Sequence, residues 1–421
     1  MIGFAYLLST DRKAVKWRTV LWGVGLQMLI GCVILLPAAG QQVFEAVDVA
    51  VRTLLSFSEE GSDFLFQSVE AHRIELVAPD GTSLGAPTFV GHISPPLKTV
   101  AFWVLPSVIF FSALMALLYH YGIMQHLVAF FARIMQRTMG TSGSESLSAA
   151  ANILVGQTES PLVVRPFIKN MTDSELHAVM VGGFATIAGG VMAVYVGVLG
   201  HIDGIAGHLV VASLMSAPAA LAVSKVMLPE THASETMGAI NVNFERIDIN
   251  GIEALTRGAL DGLKLALNIA AMLIVFVAVI AMVNAMLGTV GEVIGFELSL
   301  QLIGGWLFAP FAFMMGVPWH EATTVGMLLG EKIVLTELIA FFHLSEIQAT
   351  AEALSPRSAV IASYALCGFA NFASIGIQIG GIGGIAPERQ PDLARLGVRA
   401  MIGGTIAAMM TGCVAGLLYV P

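Results

Sequence analysis

Hydrophobic residues follow one another in long runs along most of this chain, with few polar residues between them. The run at residues 269–287 is typical, and its length of about 20 residues is what a helix needs to cross the ~30 Å hydrocarbon layer of a bilayer. A membrane β-barrel would show shorter segments of alternating polarity instead. The pattern therefore predicts an all-α polytopic membrane protein.

Basic residues give these runs a predicted orientation. Arg12, Lys13, Lys16 and Arg18 follow the first run, whereas a signal peptide carries its positive charges before the apolar stretch. Because Lys and Arg are enriched in cytoplasmic loops, we expect the first helix to be retained and both termini to lie outside the cytoplasm. The predicted crossings are residues 1–8, 20–36, 99–119, 175–199, 209–227, 260–287, 359–385 and 401–419.

Two segments interrupt the series of crossings with polar residues. Residues 148–164 are too short and too polar to cross comfortably, and basic residues flank both ends, which predicts a re-entrant hairpin. Residues 300–340 repeat this interruption and are predicted to enter from the opposite side. The blocks 143–228 and 300–420 therefore predict an inverted repeat, in which the substrate binds near the midplane where the broken elements meet.

Three further segments are predicted to lie outside the hydrocarbon layer. Residues 38–97 form a mostly external stretch that contains the turn-rich segment 78–87. Residues 124–139 place basic residues opposite an apolar face, which predicts an interfacial helix. Residues 229–255 carry several acidic residues and are predicted to form a cytoplasmic connector.

Composition excludes several classes of protein. Hydrophobic residues make up 56% of the 421 residues and charged residues 12%, with a mean hydropathy of +0.82; soluble domains carry about 25% charged residues. An ordinary water-soluble enzyme is therefore excluded, and no basic stripe supports nucleic-acid binding. Cys32, Cys367 and Cys413 each lie in an apolar run without paired spacing, so neither a disulfide framework nor a zinc site is predicted.

Ionisable residues inside apolar segments are candidates for function, because burying such a group in a bilayer costs at least a few kcal/mol. Glu159, Glu321, Glu331 and Glu337 lie in the interrupted segments. We expect Glu321 and Glu331 to have structural or gating roles. Glu159 and Glu337 accompany clusters of neutral polar residues, and the clustering favours a ligand site over ordinary helix–helix hydrogen bonds.

The residues from Gly156 to Pro161 have the composition of a hairpin tip. Gly156 frees the backbone, and Pro161 suits the first turn of the returning helix. Unwound backbone presents carbonyl groups that have no partner in a helix. Together with the side-chain oxygens of Asn152 and Thr186, such carbonyls are suitable ligands for a hard cation.

The same tips predict a neutral substrate that is rich in hydroxyl and amide groups. No Arg or Lys lies at the first tip to hold a dianion, whereas amides and hydroxyls there can both donate and accept hydrogen bonds. Phe369 adds a flat apolar face. A nucleobase joined to a sugar has these features, and its candidate hydrogen-bonding partners are Gln157, Thr158, Glu159, Glu337, Asn371 and Ser374.

Residues 156–166 (GQTESPLVVRP) and 365–372 (ALCGFANF) closely resemble the concentrative nucleoside transporter family, as do Gly316-Val317-Pro318-Trp319 and the residues around Glu337. The resemblance extends over the whole chain. It implies a bacterial inner-membrane protein with eight transmembrane helices, two re-entrant hairpins and interfacial helices, and with both termini in the periplasm. It also implies a homotrimer in the lipid bilayer that imports nucleosides such as uridine by an elevator motion driven by a cation gradient.

The resemblance also implies roles for individual residues. The tip that begins at Gly156 would hold the nucleobase through Gln157, Thr158 and Glu159, with Phe369 packing on the base and Val191 lining the pocket. The ribose hydroxyls would be bound by Glu337, Asn371 and Ser374. A sodium site would be formed by Asn152, Thr186 and the backbone carbonyls of Val155 and Ile187.

The resemblance divides the chain into four parts. Residues 1–120 are mainly N-terminal and scaffold helices, and residues 121–228 hold an interfacial helix, the first hairpin and two crossings of a transport domain. Residues 229–299 form a connector and a long scaffold helix. Residues 300–421 hold the second hairpin and the last two helices, of which the final one belongs partly to the scaffold.

Three alternatives to a sodium-coupled symporter remain open at this point. A proton is the alternative coupling ion, with Glu159 or Glu337 as its carrier. An intramembrane enzyme would need paired catalytic acids or a nucleophile–base motif, and the sequence has neither. A channel would differ from a symporter in that it cannot accumulate its substrate uphill.

Overall fold

A computed structural model of the chain describes residues 1–36, 40–66, 82, 99–238, 248–351 and 353–419. The described residues form helices and contain no strand, as the sequence predicts. Except for Thr82, the turn-rich segment 78–87 lies outside the described residues. The helices are α1 (Ile2–Leu7), α2 (Trp17–Leu35), α3 (Gln41–Phe66), α4 (Leu105–His120), α5 (Ile123–Met139), α6 (Gly143–Asn152), α7 (Ser160–Val163), α8 (Arg165–Ile168), α9 (Asp173–Ala185), α10 (Gly189–Val198), α11 (Ile205–Met227), α12 (Gly251–Ile294), α13 (Leu300–Met314), α14 (Trp319–Val334), α15 (Glu337–Gln348), α16 (Pro356–Leu366), α17 (Phe372–Ile385) and α18 (Gln390–Leu418).

Several of these helices have the length and composition of membrane spans. Within the described part of the chain, six stretches are long and apolar enough to span a membrane. The pair α13 and α14, bent by 118° at the break between them, would be a seventh span if it is counted as one. The all-α polytopic fold is thereby confirmed. Helix α1 covers six residues, about 9 Å, which is shorter than a crossing. The six stretches are Trp17–Leu35, Val100–His120, Asp173–Val198, Ile205–Met227, Gly251–Val293 and Pro387–Leu418.

Two blocks of the chain repeat the same order of elements. The first block contains an interrupted segment (α6–α8), a crossing broken in its middle (α9 and α10) and the long helix α11. The second block contains an interrupted segment (α14–α15), a broken crossing (α16 and α17) and the long helix α18. In both blocks the first half of the broken crossing, α9 or α16, packs against α11 and α18. The predicted repeat is therefore present, but its second block begins at Trp319 because residue 300 starts a separate helix, α13.

Local sequence explains where the first block bends. Helix α6 begins with a capping box, in which the Ser142 side chain accepts from the Glu145 N–H while the Glu145 carboxylate accepts from the Ser142 N–H. Thr172 and Glu175 form the same arrangement at the start of α9. Pro161 lies in the first turn of α7, where its missing N–H leaves no helical hydrogen bond unmade. The block thus has defined helix starts on either side of its interruption.

Two parts of the N-terminal region differ in outcome. The predicted interfacial helix at 124–139 is present as the amphipathic helix α5, whose Arg133 and Arg137 are exposed. The stretch predicted to be mostly external, 38–97, instead contains the 26-residue helix α3, which packs against α4 and α11. Helix α3 is amphipathic, and its charged residues lower the average hydropathy of the stretch. Hydropathy alone therefore does not identify it as a helix.

Candidate functional site

The first interruption leaves backbone groups outside any helix. The Ser213 hydroxyl donates to the Ile153 carbonyl at 2.9 Å, and the Gly189 N–H donates to the Leu154 carbonyl at 3.3 Å. These bonds hold the end of α6 against α11 and against the start of α10. Within the described residues, the carbonyls of Val155 and Ile187 accept no hydrogen bond from the protein. Both carbonyls therefore remain able to bind a ligand.

Asn152, the last residue of α6, is buried without a partner. Its residue exposure is 0%, and neither Oδ1 nor Nδ2 has a hydrogen-bond partner among the described residues. A Cβ placed on Gly182 would lie 3.2 Å from Asn152 Nδ2, and the Thr186 hydroxyl donates to the Gly182 carbonyl at 2.9 Å. Asn152 and Thr186 thus converge on one turn of α9. Buried polar groups normally have hydrogen-bond partners, so the unpartnered Oδ1 and Nδ2 of Asn152 indicate a place for a bound species.

The donor set predicted from Asn152, Thr186 and the carbonyls of Val155 and Ile187 suits a sodium ion. It consists of neutral oxygens from an amide, a hydroxyl and free carbonyls, which are the ligands that hard cations prefer. No group of three or more His, Cys, Asp or Glu residues that could hold a metal occurs in the described ranges. The chemistry of the site therefore suits a hard monovalent cation better than a transition metal.

The breaks of the two crossings contact each other. Gly368, in the break between α16 and α17, has a φ of +136°, a conformation that favours glycine. A Cβ added there would lie 2.8 Å from the carbonyl oxygens of both Phe184 and Ala185, at the end of α9. The close approach of backbone to backbone brings the polar residues of both breaks to the same region.

Four of the predicted substrate residues are joined by hydrogen bonds. Gln157 Nε2 donates to Ser374 Oγ at 3.1 Å, and the Ser374 N–H donates to Asn371 Oδ1 at 2.8 Å. Asn371 Nδ2 in turn donates to Glu337 Oε2 at 2.8 Å. All four side chains are buried, with residue exposures from 2% to 7%. The tip of the first interrupted segment is therefore connected to that of the second through the start of α17.

The remaining predicted substrate residues lie around this chain without joining it. Thr158 and Glu159 are exposed; Thr158 Cγ2 lies 3.4 Å from a Cβ placed on Gly381 of α17. The Glu159 side chain bends over Gly156, whose added Cβ would lie 2.7 Å from Glu159 Oε2. Two apolar members, buried Val191 and half-buried Phe369, belong to one hydrophobic cluster.

Comparison with known proteins identifies the family. The chain matches three family profiles, described as Na+ dependent nucleoside transporter N-terminus over residues 1–69, Nucleoside recognition over residues 101–202, and Na+ dependent nucleoside transporter C-terminus over residues 208–416. It is 41% identical over 425 residues to an uncharacterized transporter of Haemophilus influenzae, a match that covers 99% of this chain and 95% of that protein. The chain belongs to the concentrative nucleoside transporter family. This is a family of transporters and not of enzymes.

Other members of the concentrative nucleoside transporter family are similar in structure or sequence. The inward-facing, substrate-bound structure of CNTnw is 39% identical in sequence and superposes with a TM-score of 0.85. The superposition covers 99% of this chain and 95% of that structure. Solute carrier family 28 member 3 of Eptatretus stoutii is 42% identical over an alignment of 430 positions that covers 99% of this chain. The chain spans 59% of the length of that relative.

Two residues that the sequence does not predict form hydrogen bonds with the candidate site residues of this member of the concentrative nucleoside transporter family. The Tyr195 hydroxyl donates to Glu337 Oε1 at 2.8 Å. Gln378 Nε2 donates to Gln157 Oε1 at 3.0 Å and to the Met180 carbonyl at 3.1 Å. Tyr195 follows Val191 by four residues on α10, and Gln378 follows Ser374 by four on α17. Helical spacing from the predicted residues is the signal that could have found both.

The other acids of the interrupted segments have partners away from this site. Glu331 lies 2.8 Å from His343 Nδ1. The Ser355 hydroxyl donates to Glu321 at 2.9 Å, which ties the start of α14 to the start of α16. These contacts fit the structural roles expected for both acids.

Proposed function

We propose that this protein is a sodium-coupled nucleoside symporter that imports nucleosides such as uridine by elevator-type alternating access. The observation that carries the proposal is the hydrogen-bond chain from Gln157 through Ser374 and Asn371 to Glu337. It links amide, hydroxyl and carboxylate groups from both interrupted segments. A nucleoside offers both an amide-like base edge and vicinal hydroxyls, so it can form hydrogen bonds with these same groups.

The base and the sugar would occupy opposite ends of this chain. The base would contact Gln157, Thr158 and Glu159, next to Gly156, with Phe369 packing on its face and Val191 lining the pocket. The ribose hydroxyls would donate to the Glu337 carboxylate and bond with Asn371 and Ser374. Because Glu337 is already oriented by Tyr195 and Asn371, little side-chain entropy is lost when the sugar binds.

Sodium would bind where α6 and α9 both end. Its ligands would be the side-chain oxygens of Asn152 and Thr186 and the carbonyls of Val155 and Ile187. The Val155 carbonyl lies immediately before the tip that carries Gln157, so an ion bound there would stabilise the backbone that presents the base-binding residues. Each ligand would then strengthen binding of the other, since thermodynamic coupling is reciprocal.

The assembly and the motion belong to the same proposal. The blocks within 121–228 and 300–421 would move as a transport domain against a scaffold formed mainly by 1–120 and 229–299. The protein would be a homotrimer in the bacterial inner membrane, with both termini periplasmic and without a nucleic-acid partner. The likeness to CNTnw structures in both inward-facing and outward-facing states supports alternating access.

Uptake by purified protein in proteoliposomes tests the proposal. Labelled uridine should accumulate above its external concentration when sodium is higher outside and the pH is equal on both sides. The control has a proton gradient and no sodium gradient. Accumulation under the proton gradient alone would show that the coupling ion is the proton and not sodium. Equilibration of uridine without accumulation would indicate a channel. A panel of competing nucleosides in the same assay would define the base preference.

A further inference from the structure

The two blocks share a short sequence pattern at their interruptions. The first reads Asn152-Ile-Leu-Val-Gly-Gln-Thr-Glu159 and the second reads Lys332-Ile-Val-Leu-Thr-Glu337, which is the same pattern without the Gly-Gln pair. The breaks of the crossings also correspond, as residues 183–189 (GFATIAG) and 368–374 (GFANFAS). Together with the repeated order of helices, this correspondence makes Lys332 the counterpart of Asn152.

The structure places these two counterparts in equivalent surroundings. Asn152 lies at the end of α6 and contacts α9 at Gly182, one residue before the shared GFA motif. Lys332 lies near the end of α14, and its Nζ donates at 2.9 Å to the carbonyl of Ala365. Ala365 lies in the last turn of α16, three residues before the same motif begins. Both side chains therefore reach the last turn of a crossing helix before it breaks.

The two positions differ in charge. Asn152 is neutral and both of its polar atoms are unpartnered. Lys332 has a residue exposure of 1%, and a buried ammonium is stable only when negative groups compensate it. Its surroundings supply such a group, because Lys332 Nζ bonds to the carbonyl end of α16, which carries the negative end of the helix dipole. The second block thus has its own resident positive charge.

We propose that the Lys332 ammonium is a tethered cation that fills, in the second block, the place that the mobile sodium ion takes in the first. The inference rests on the proposed sodium site at Asn152. It has a specific consequence: the protein binds one sodium ion per nucleoside, because the Lys332 ammonium already occupies the equivalent position in the second block. Replacing Lys332 by a neutral oxygen ligand should create a second cation site.

Sodium–nucleoside linkage in detergent solution tests the inference without transport. The slope of log Kd for uridine against log sodium concentration reports the number of ions taken up with the nucleoside. We expect slopes of about −1 for the unmodified protein and about −2 for Lys332→Asn. The matched variant Lys332→Met removes the charge without adding a ligand, and its slope should stay at about −1.

Three results would overturn the inference or locate the failure elsewhere. A monodisperse Lys332→Asn protein with the unmodified slope would overturn it. A count of two ²²Na+ ions bound per protomer of the unmodified protein, which needs no variant to fold, would also overturn it. A slope of zero in the unmodified protein would reject sodium coupling itself, and with it the proposed function on which the inference rests.

Discussion

Glu159 and Glu337 end the same sequence pattern in the two blocks, but they are held differently. Glu337 is buried and accepts hydrogen bonds from Tyr195 and Asn371, both at 2.8 Å. Glu159 is exposed and bends back over Gly156. The acid of the second block is therefore held by partners from other helices, whereas the acid of the first block lies against its own tip.

The difference follows from the two residues that distinguish the patterns. Gly156 and Gln157 lengthen the first interruption, so its backbone leaves the Val155 carbonyl free and places an amide against α17. The second interruption has only Leu335 and Thr336 between α14 and α15. A short insertion in one half of a repeat is thus enough to convert a symmetric frame into two sites of different chemistry.

The largest effect is expected from Glu337→Gln. The change removes the charge that accepts from Tyr195 and Asn371 and, in the proposed site, from the ribose hydroxyls; hydrogen bonds to charged groups contribute roughly 1.5–3 kcal/mol each. Uridine binding measured by calorimetry should weaken by about 100-fold, and uptake should be abolished while the variant still forms the proposed trimer. Asn371→Ala should abolish uptake as well. Normal uptake by either variant would remove that residue from the site.

Asn152→Ala should have the next largest effect, on sodium alone. The variant would lose one of the proposed oxygen ligands, so the sodium concentration for half-maximal uridine binding should rise by roughly tenfold, equivalent to about 1.4 kcal/mol. Uridine affinity at saturating sodium should stay close to that of the unmodified protein. Ser148→Ala, one turn earlier on α6, is the matched control. An equal shift in both variants would show that α6 is merely destabilised.

Tyr195→Phe tests whether the acid of the second block owes its orientation to its neighbours. The variant removes one hydrogen bond to Glu337 and keeps the ring that packs on Phe341. Uridine affinity should fall by about tenfold, in line with about 1–1.5 kcal/mol for the lost bond. The control is Tyr364→Phe, another fully buried tyrosine, whose hydroxyl meets His208. A similar loss in both would indicate a general packing defect.

The sequence predicts those features of the two blocks that depend on the residues of a short segment alone. Long apolar runs predict the membrane helices, and the glycine and proline of residues 156–161 predict the first tip. The second interrupted segment is less well defined by sequence, because α13 is as apolar as a hairpin arm and merges with α14 in a hydropathy profile. Its break at Leu335 and Thr336 contains neither glycine nor proline, so no turn signal marks it.

Side-chain partners distant in sequence account for most of what the sequence analysis missed. Tyr195 and Glu337 are 142 positions apart, and Gln378 and Gln157 are 221 positions apart. Such pairs depend on how the two blocks pack together, which no local pattern encodes. The proposed role of Lys332 likewise depends on its counterpart, Asn152, in the other block.

Glu159→Gln should have the smallest effect. Glu159 is exposed and its carboxylate lies over Gly156 of its own tip, so we expect a neutral amide to replace it as an acceptor at a cost of roughly 0.5–1 kcal/mol. Uridine affinity should fall only about two- to fivefold in the calorimetric assay used for Glu337→Gln. A loss as large as that of Glu337→Gln would mean that both acids are preorganised in the bound state. The two interruptions would then differ in length but not in the way they hold the substrate.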